Sequence, residues 1–458
     1  MEVQGILQSQ DEYLSGVNAR SIKYRIKKLK TLKRTIALHE NEIMQALYDD
    51  FYKPNYETLA AELFTVHKEI KCFIDNLGEW SSPENVTPSL LNFPSSEKIY
   101  HEAYGKVLII SPWNYPFQLA IMPMIGAFAS GNAVVLKPSE FTAHTANIIE
   151  TICHTVFDQH EVVVCKGGVD TSQQLLEEKW DHIFFTGSTA VGKIVAKKAA
   201  EHLTPTTLEL GGKNPCIVDE TADLKLAAKR IAWGKWLNAG QTCIAPDTVL
   251  VQENVKDDLI KHLKSWVKKF YPDTLEKNHD LTGIINEKHF KRLVELKEEN
   301  KVLFGGDINE EKKKIAPTLI DEPSMESTIM QQEIFGPLLP IISYENDEAL
   351  KRLTDHFYQP LAYFIFTRNK KKAKQWMREK QFGGGVINDS IIHVINEKLP
   401  FGGVGNSGMG QYHGYYSFKT FTREKAIVDH KIWYDQPFRY PPYKGKLGLL
   451  KKLKRWIT

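Results

Sequence analysis

The chain has 458 residues, of which 42% are apolar, 25% charged and 11% aromatic, and its net charge is +3. These values give room for about three structural units with proper cores and exclude disordered, low-complexity and collagen-like classes. No run approaches the ~20 apolar residues that a bilayer helix needs, which excludes a membrane span.

The opening MEVQGILQSQDEYLSGVNAR lacks the apolar core of a secretion signal, and the five cysteines, at 72, 153, 165, 216 and 243, form no C-x-x-C pair. Both features point to reduced thiols in a cytoplasmic protein. Asn85-Val86-Thr87 matches a glycosylation sequon but reads as an ordinary polar loop in that setting. The fifteen histidines show no H-E-x-x-H and no Cys/His metal spacing, so no metal is expected. The last fifteen residues, KGKLGLLKKLKRWIT, carry six basic and no acidic side chains, leaving a mildly acidic body and no expectation of a nucleic-acid partner.

Along the chain, Ile22, Ile26, Leu29, Leu32, Ile36 and Ile43 recur at intervals of about 3 to 4 and predict an amphipathic helix over 22–47. From Lys106 onward β-rich runs alternate with helix-like stretches: VLIIS, 118–130, AVVLKP, 142–157, VVVCKG, 172–177, HIFFTG and 191–202. The pattern restarts after residue 212 with PCIVD, a helix over 227–237, TVLVQ, a helix over 257–270, then PLLPIIS, LAYFIFT and GGVIND. Such alternation predicts an α/β fold of two doubly wound domains meeting near residue 210.

Two glycine-rich segments invite competing readings. Gly403-Val404-Gly405-Asn406-Ser407-Gly408 matches G-x-G-x-x-G, but no strand precedes it and it reads as a turn. Gly187-Ser188-Thr189-Ala190-Val191-Gly192-Lys193 matches G-x-x-x-x-G-K between a strand and a helix, yet Ile194 stands where a P-loop needs Ser or Thr for magnesium. What survives is a small-residue turn at a helix N-terminus, whose free amides and dipole suit a pyrophosphate.

Cys243 follows Asn238-Ala239-Gly240-Gln241-Thr242 on a loop between a predicted helix and the strand TVLVQ. A lone cysteine is more often buried and inert than nucleophilic. Glu209, inside the apolar LELGG segment, supplies a carboxyl group that burial would turn into a general base; a helix cap and a ribose-binding acid are its other readings.

Seven segments together resemble the aldehyde dehydrogenases, and more closely their class 3 branch of fatty and aromatic aldehyde dehydrogenases: SPWNYPF at 111–117, GNAVVLKPSE at 131–140, FTGSTAVG at 185–192, LELGGKNP at 208–215, GQTCIAPD at 240–247, EIFGP at 333–337 and PFGGVGNSGMGQYHGYYSF at 400–418. Thr248 departs from the aromatic residue common after APD in that branch, which leaves its neighbourhood open between packing and substrate lining. The resemblance implies Cys243 as nucleophile, Asn114 with the Cys243 backbone N–H as oxyanion hole, and Glu209 as the base that activates water, with Glu333 as its understudy. It implies Lys137 and Glu140 at the adenosine ribose, Gly187, Ser188 and Gly192 at the pyrophosphate turn, and Glu333 and Phe335 on the nicotinamide side. Strand-end charges and plain turn residues are the alternative readings of 137, 140, 187, 188 and 192.

The implied organisation is a dinucleotide-binding domain over 1–82 and 104–210, a catalytic domain over 211–400, a small β extension of oligomerisation strands at 83–103 and 415–435, and a basic amphipathic tail at 436–458. The implied function is NAD-dependent oxidation of a small-molecule aldehyde, with NADP as the alternative cofactor, by a homodimer. The default substrate is large and apolar, such as a bacterial lipid or carotenoid aldehyde. A cofactor-independent thiol acyltransferase or esterase, and a catalytically silent scaffold, are the competing functions. In the tail, Leu447, Leu449, Leu450, Leu453, Trp456 and Ile457 alternate with Lys451, Lys452, Lys454 and Arg455, so it either docks on an anionic inner-membrane surface or packs on the protein itself.

Overall fold

The computed structural model describes residues 3–457, with the side chains at 449, 453 and 455–457 outside that description. The chain divides into two compact units, Met1–Trp80 with Ala103–Arg423 and Ser81–Glu102 with Glu424–Thr458.

In the larger unit, the predicted helix over 22–47 is two helices, α1 (Ile22–Leu38) and α2 (Glu40–Phe51). His39 separates them: its N–H closes α1 on the Thr35 and Ile36 carbonyls, and Glu40 and Glu42 open α2 where its dipole favours acids. The apolar period runs on across the break because Leu29, Leu32, Ile36, Ile43 and Leu47 all bury in one core. A short helix, Asn55–Glu57, and a π-helical stretch, Thr58–Leu63, then lead into α3 (Phe64–Trp80).

The first sheet holds five parallel strands, β1 (Lys106–Ile110), β2 (Ala133–Lys137), β3 (Val162–Val164), β4 (His182–Gly187) and β5 (Thr206–Leu210), in the order β3-β2-β1-β4-β5. The chain crosses from one side of β1 to the other after β3, so a crevice opens beyond the carboxyl ends of β1 and β4. Helix α4 (Gln118–Ala129), between β1 and β2, is apolar on all sides and buried along its whole length. Its N-terminus is closed by a distant carboxylate, since the amides of Phe117 and Gln118 donate to Glu62 Oε2 at 2.9 and 3.1 Å. Helix α5 (Thr189–Glu201) follows β4.

The second sheet begins at β6 (Pro215–Val218), followed by α6 (Leu224–Trp236) and β7 (Thr248–Gln252). Its remaining strands are β8 (Val302–Phe304), β9 (Thr318–Asp321), β10 (Leu338–Tyr344), β11 (Ala362–Phe366) and β12 (Gly384–Ile387), in the order β8-β9-β10-β7-β6-β11-β12. All neighbours are parallel except the edge strand β8. The fold is therefore α/β with two doubly wound sheets. The 403–408 segment is a turn closed by a Gly405–Gly408 bridge, and β13 (Gly408–Met409) runs antiparallel to β5.

The stretch 415–435 is not extended throughout. Tyr415–Thr420 is a short helix, held because the Gly414 amide and Ser417 Oγ donate to the buried carboxylate of Glu69, and only Thr422–His430 is a strand. In the smaller unit, Glu84–Val86 pairs antiparallel with Ser95–Ala103, the central strand of three. That unit ends in the helix Leu447–Ile457. Among the described residues no helix is long and apolar enough to cross a membrane.

Candidate active site

Helix α6 stops at Trp236, and the chain then turns through three consecutive residues with left-handed φ, Asn238 (54°), Ala239 (52°) and Gly240 (75°), before reaching Cys243. A Cβ on Gly240 would lie 2.2 Å from the Gly336 carbonyl oxygen, so only glycine fits. The turn aims Cys243, half-buried, into a pocket of about 270 Å³.

Glu209 reaches the same pocket from β5, in register between Thr186 on β4 and Gly408 on β13. Its carboxylate is 3% exposed and neither oxygen has a hydrogen-bond partner. Burial alone raises it well above the usual carboxylate range. This excludes the helix-cap reading, since Glu209 lies within a strand. Burial, with the charges of Glu333 and Glu209 behind it, pushes the Cys243 thiol up to about 12.

Asn114 is buried on the turn between β1 and α4, and one N–H of its amide donates to the Gln241 carbonyl at 3.1 Å. Tyr115 next to it hydrogen-bonds Thr242 through its hydroxyl at 2.7 Å. The pocket walls are mostly apolar and include Ala60, Leu119, Trp233, Ile391, Phe401 and Tyr412. Thr248 is fully buried at the start of β7 with Oγ1 3.9 Å from the Met330 sulfur, which makes it a packing residue and not a pocket wall.

Lys137 ends β2 and is buried, so it is not an exposed strand-end charge; its Nζ donates to the partly exposed Glu140 at 2.8 Å. Gly187 ends β4, and the Ser188 hydroxyl caps α5 by accepting from the Val191 amide. A Cβ on Gly192 would lie 2.6 Å from a Leu210 methyl, so glycine lets α5 lie close against β5. Glu333 Oε1 accepts from the Gly212 amide at 3.1 Å, and burial raises its carboxyl to about 8. Phe335 sits edge-on to Trp113 at 5.3 Å.

Residue-by-residue reading overlooked several groups. Asn214 ties the Cys243 loop to β6 and β11, and Lys213 pairs with Asp247 and bonds the carbonyls of Ile329 and Gln332, which fixes the segment leading to Glu333. Both lie within LELGGKNP, so the motif was their signal. Lys235 is fully buried, and desolvation lowers it to about 8 against the pull of Asp247; nothing in its spacing marked it. Among the described residues no group of three or more His, Cys, Asp or Glu is arranged to hold a metal ion.

A cysteine and an unpartnered carboxylate lining one apolar pocket, a buried amide bonded to the cysteine loop and a Rossmann-like crevice define the class: a thiol-dependent, dinucleotide-linked oxidoreductase. The profile of the aldehyde dehydrogenase family matches residues 1–427. The chain is 44% identical to the 4,4'-diaponeurosporen-aldehyde dehydrogenase of Staphylococcus aureus, over 96% of each protein. It is 42% identical to the dimeric NADP-preferring aldehyde dehydrogenase of Canis lupus familiaris, over 93% of this chain and 95% of that one. A solved structure of Staphylococcus aureus AldH in a substrate-bound state superimposes with a TM-score of 0.96 at 42% identity, covering 99% of both chains. The chain belongs to the aldehyde dehydrogenase family, and it catalyses the NAD(P)-dependent oxidation of an aldehyde to a carboxylic acid.

Proposed function

We propose that the substrate is a large apolar aldehyde and that Cys243, Asn114 and Glu209 carry its oxidation. The observation that supports this is one pocket with Cys243 and an unpartnered Glu209 in its lining and aliphatic and aromatic walls above them. The relative whose name specifies 4,4'-diaponeurosporen-aldehyde points the same way.

In this reading the Cys243 thiol gives its proton to water, its Sγ bonds to the carbonyl carbon as the C=O π bond opens, and the Asn114 amide with the Cys243 backbone N–H holds the resulting oxyanion. Bound NAD or NADP supplies the hydride acceptor that turns the adduct into a thioester. Glu209 then takes a proton from water as its oxygen adds to the thioester, the carbon–sulfur bond breaks, and the acid leaves.

The residues at the crevice fit a dinucleotide. Lys137 with Glu140 would hold the adenosine ribose, Gly187, Ser188 and Gly192 at the N-terminus of α5 would take the pyrophosphate, and Glu333 with Phe335 would meet the nicotinamide side. The fit rests on the buried Lys137 ammonium, the glycine-dependent approach of α5 to β5, and the uncovered Val191 and Ile194 on the first turns of that helix.

A homodimer in the cytoplasm completes the proposal. Its supports are the uncovered Ile427, Val428, Ile432 and Trp433 of the smaller unit, the dimeric relative, and five cysteines that form no disulfide. The terminal helix contributes a peripheral membrane contact, supported by the exposed Leu447 and Leu450 and the exposed Lys451, Lys452 and Lys454. Leu449, Leu453, Trp456 and Ile457, which belong to the same stripe, lie outside the described side chains.

The test is purified protein with NAD or NADP against aldehydes of graded chain length, following nicotinamide absorbance. The specificity constant should rise with apolar length. A preference for short polar aldehydes would refute the substrate assignment.

A further inference from the structure

The segment from Lys53 to Leu63 places three charged side chains beneath the catalytic loops, and all three are buried. Glu62 closes the N-terminus of α4 and so fixes the turn that presents Asn114. Lys53 Nζ pairs with Glu62 at 2.5 Å, lies 3.9 Å from the centre of the Tyr115 ring and reaches the Asn114 carbonyl at 3.4 Å. Glu57, between them in the chain, bonds to the cysteine loop: its Oε2 accepts from the Asn238 amide at 3.0 Å and from Thr282 Oγ1 at 3.2 Å.

Asn238 opens the left-handed stretch of the cysteine loop. With Ala239 it holds a left-handed backbone that non-glycine residues rarely adopt, and such strain persists only where the surroundings over-determine it. The Asn238 side chain donates to the Asn114 and Gln241 carbonyls at 2.8 and 3.1 Å, so this residue also joins the oxyanion side of the site to the thiol side. Gln241 bonds back to the Asn238 carbonyl at 3.2 Å and to the Gly283 carbonyl at 3.0 Å. The peptide N–H at the start of the strained turn thus has the Glu57 carboxylate as its partner.

We propose that Glu57 is a positioning residue: by accepting from the Asn238 amide it holds the left-handed turn that sets Cys243 against the Asn114 amide. This rests on Cys243 being the nucleophile. Glu57 lines the same pocket as Cys243, but its hydrogen bonds go to Asn238 and Thr282 and not to the thiol, so it acts through Asn238. A carboxylate on one short helix therefore locks a loop that lies 181 residues further along the chain.

The test uses the full-length protein and reads the rate of the first turnover of reduced nicotinamide, the dissociation constant for NAD, and the rate at which iodoacetamide alkylates Cys243. Glu57→Ala should slow the first turnover by about 10- to 100-fold, with NAD binding changed less than twofold, as expected for a misplaced nucleophile. Glu57→Gln keeps an acceptor for the Asn238 amide and should retain most of the rate. Ala239→Gly, which adopts the left-handed turn without strain, should restore several-fold of the loss in the Glu57→Ala background. If Glu57→Ala does not fold, Glu57→Asp asks the same question, since its carboxylate falls one methylene short of Asn238 and should show the same loss and the same rescue. A wild-type first turnover in Glu57→Ala or Glu57→Asp, a Gln variant as slow as Ala, or no rescue by Ala239→Gly would each overturn the assignment. Cys243→Ala separates the two claims: if it keeps turnover, the nucleophile is misassigned, whereas a silent Cys243→Ala beside wild-type Glu57 variants refutes only the lock.

Discussion

The side-chain amide of Asn214 donates to the carbonyl of Cys243 at 2.8 Å and to that of Ala245 at 3.0 Å, while its oxygen accepts from the Ala362 amide at 2.8 Å. The backbone around the thiol is therefore tied to two strands of the second sheet by a residue outside the chemistry. A change confined to the Cys243 side chain leaves these bonds intact.

Cys243→Ala should for that reason keep the fold and NAD binding while turnover falls below about 1% of wild type. Cys72→Ala, which alters a thiol on α3 outside the pocket lining, should retain activity. The measurements are steady-state oxidation and NAD titration. Several per cent of residual turnover in Cys243→Ala would rule out covalent catalysis there.

Glu209→Gln should separate the half-reactions. A burst of reduced nicotinamide close to wild type, followed by turnover slowed about 100-fold or more, is expected if Glu209 activates the hydrolytic water. Loss of the burst with NAD binding intact would assign Glu209 to thiol activation instead, and unchanged steady-state rates would remove it from the site.

Lys137 and Glu140 bear on cofactor choice. A carboxylate at the adenosine ribose accepts from the 2′-hydroxyl of NAD and repels the 2′-phosphate of NADP, so wild type should prefer NAD. Glu140→Gln frees Lys137 for a phosphate and should shift the ratio of specificity constants toward NADP by about tenfold. A wild-type preference for NADP, or no shift in the variant, contradicts the ribose assignment.

Buried carboxyls give stability a pH slope. Burial raises Glu57 and Glu69 to about 7, above the 4.5 they have when exposed. Between those values the folded state holds protons that the unfolded state has lost, so their contribution to stability is present at low pH and is lost as pH rises toward 7. Each contributes on the order of a few kcal/mol to that slope. Glu69→Gln removes one proton from the balance while leaving an acceptor for Gly414 and Ser417, and the difference in denaturation midpoint between pH 5 and pH 8 should shrink. An unchanged difference would show that Glu69 does not titrate in this range.

The tail is tested by a variant ending at Tyr443. Full-length protein should co-sediment with anionic vesicles in a salt-sensitive way and the truncated form should not, with activity on a short aldehyde preserved in both. Equal sedimentation refutes the membrane contact.

Four parallel strands of the first sheet and five of the second, the turn at 187–192 and the loop at 238–243 were legible in the sequence because each rests on local chemistry: β-rich runs between helical ones, small residues at a strand end, a glycine where φ must be positive. Strands β5, β8 and β9 were not, since no predicted helical stretch set them off from the strand that follows. Cys243, Glu209 and Asn114 stood out only as members of motifs, since type and spacing alone also fit an inert thiol and a capping carboxylate. The break at His39 was hidden because two helices that bury one continuous stripe share the apolar period of a single helix. Tertiary structure alone decided that Glu209 has no partner, that Lys235 is buried and that Glu57 meets Asn238. Periodicity reports that a face is buried, whereas the partner of a buried charge is chosen by elements far apart in the chain, and a carboxylate reads as solvated until the group that desolvates it is in place.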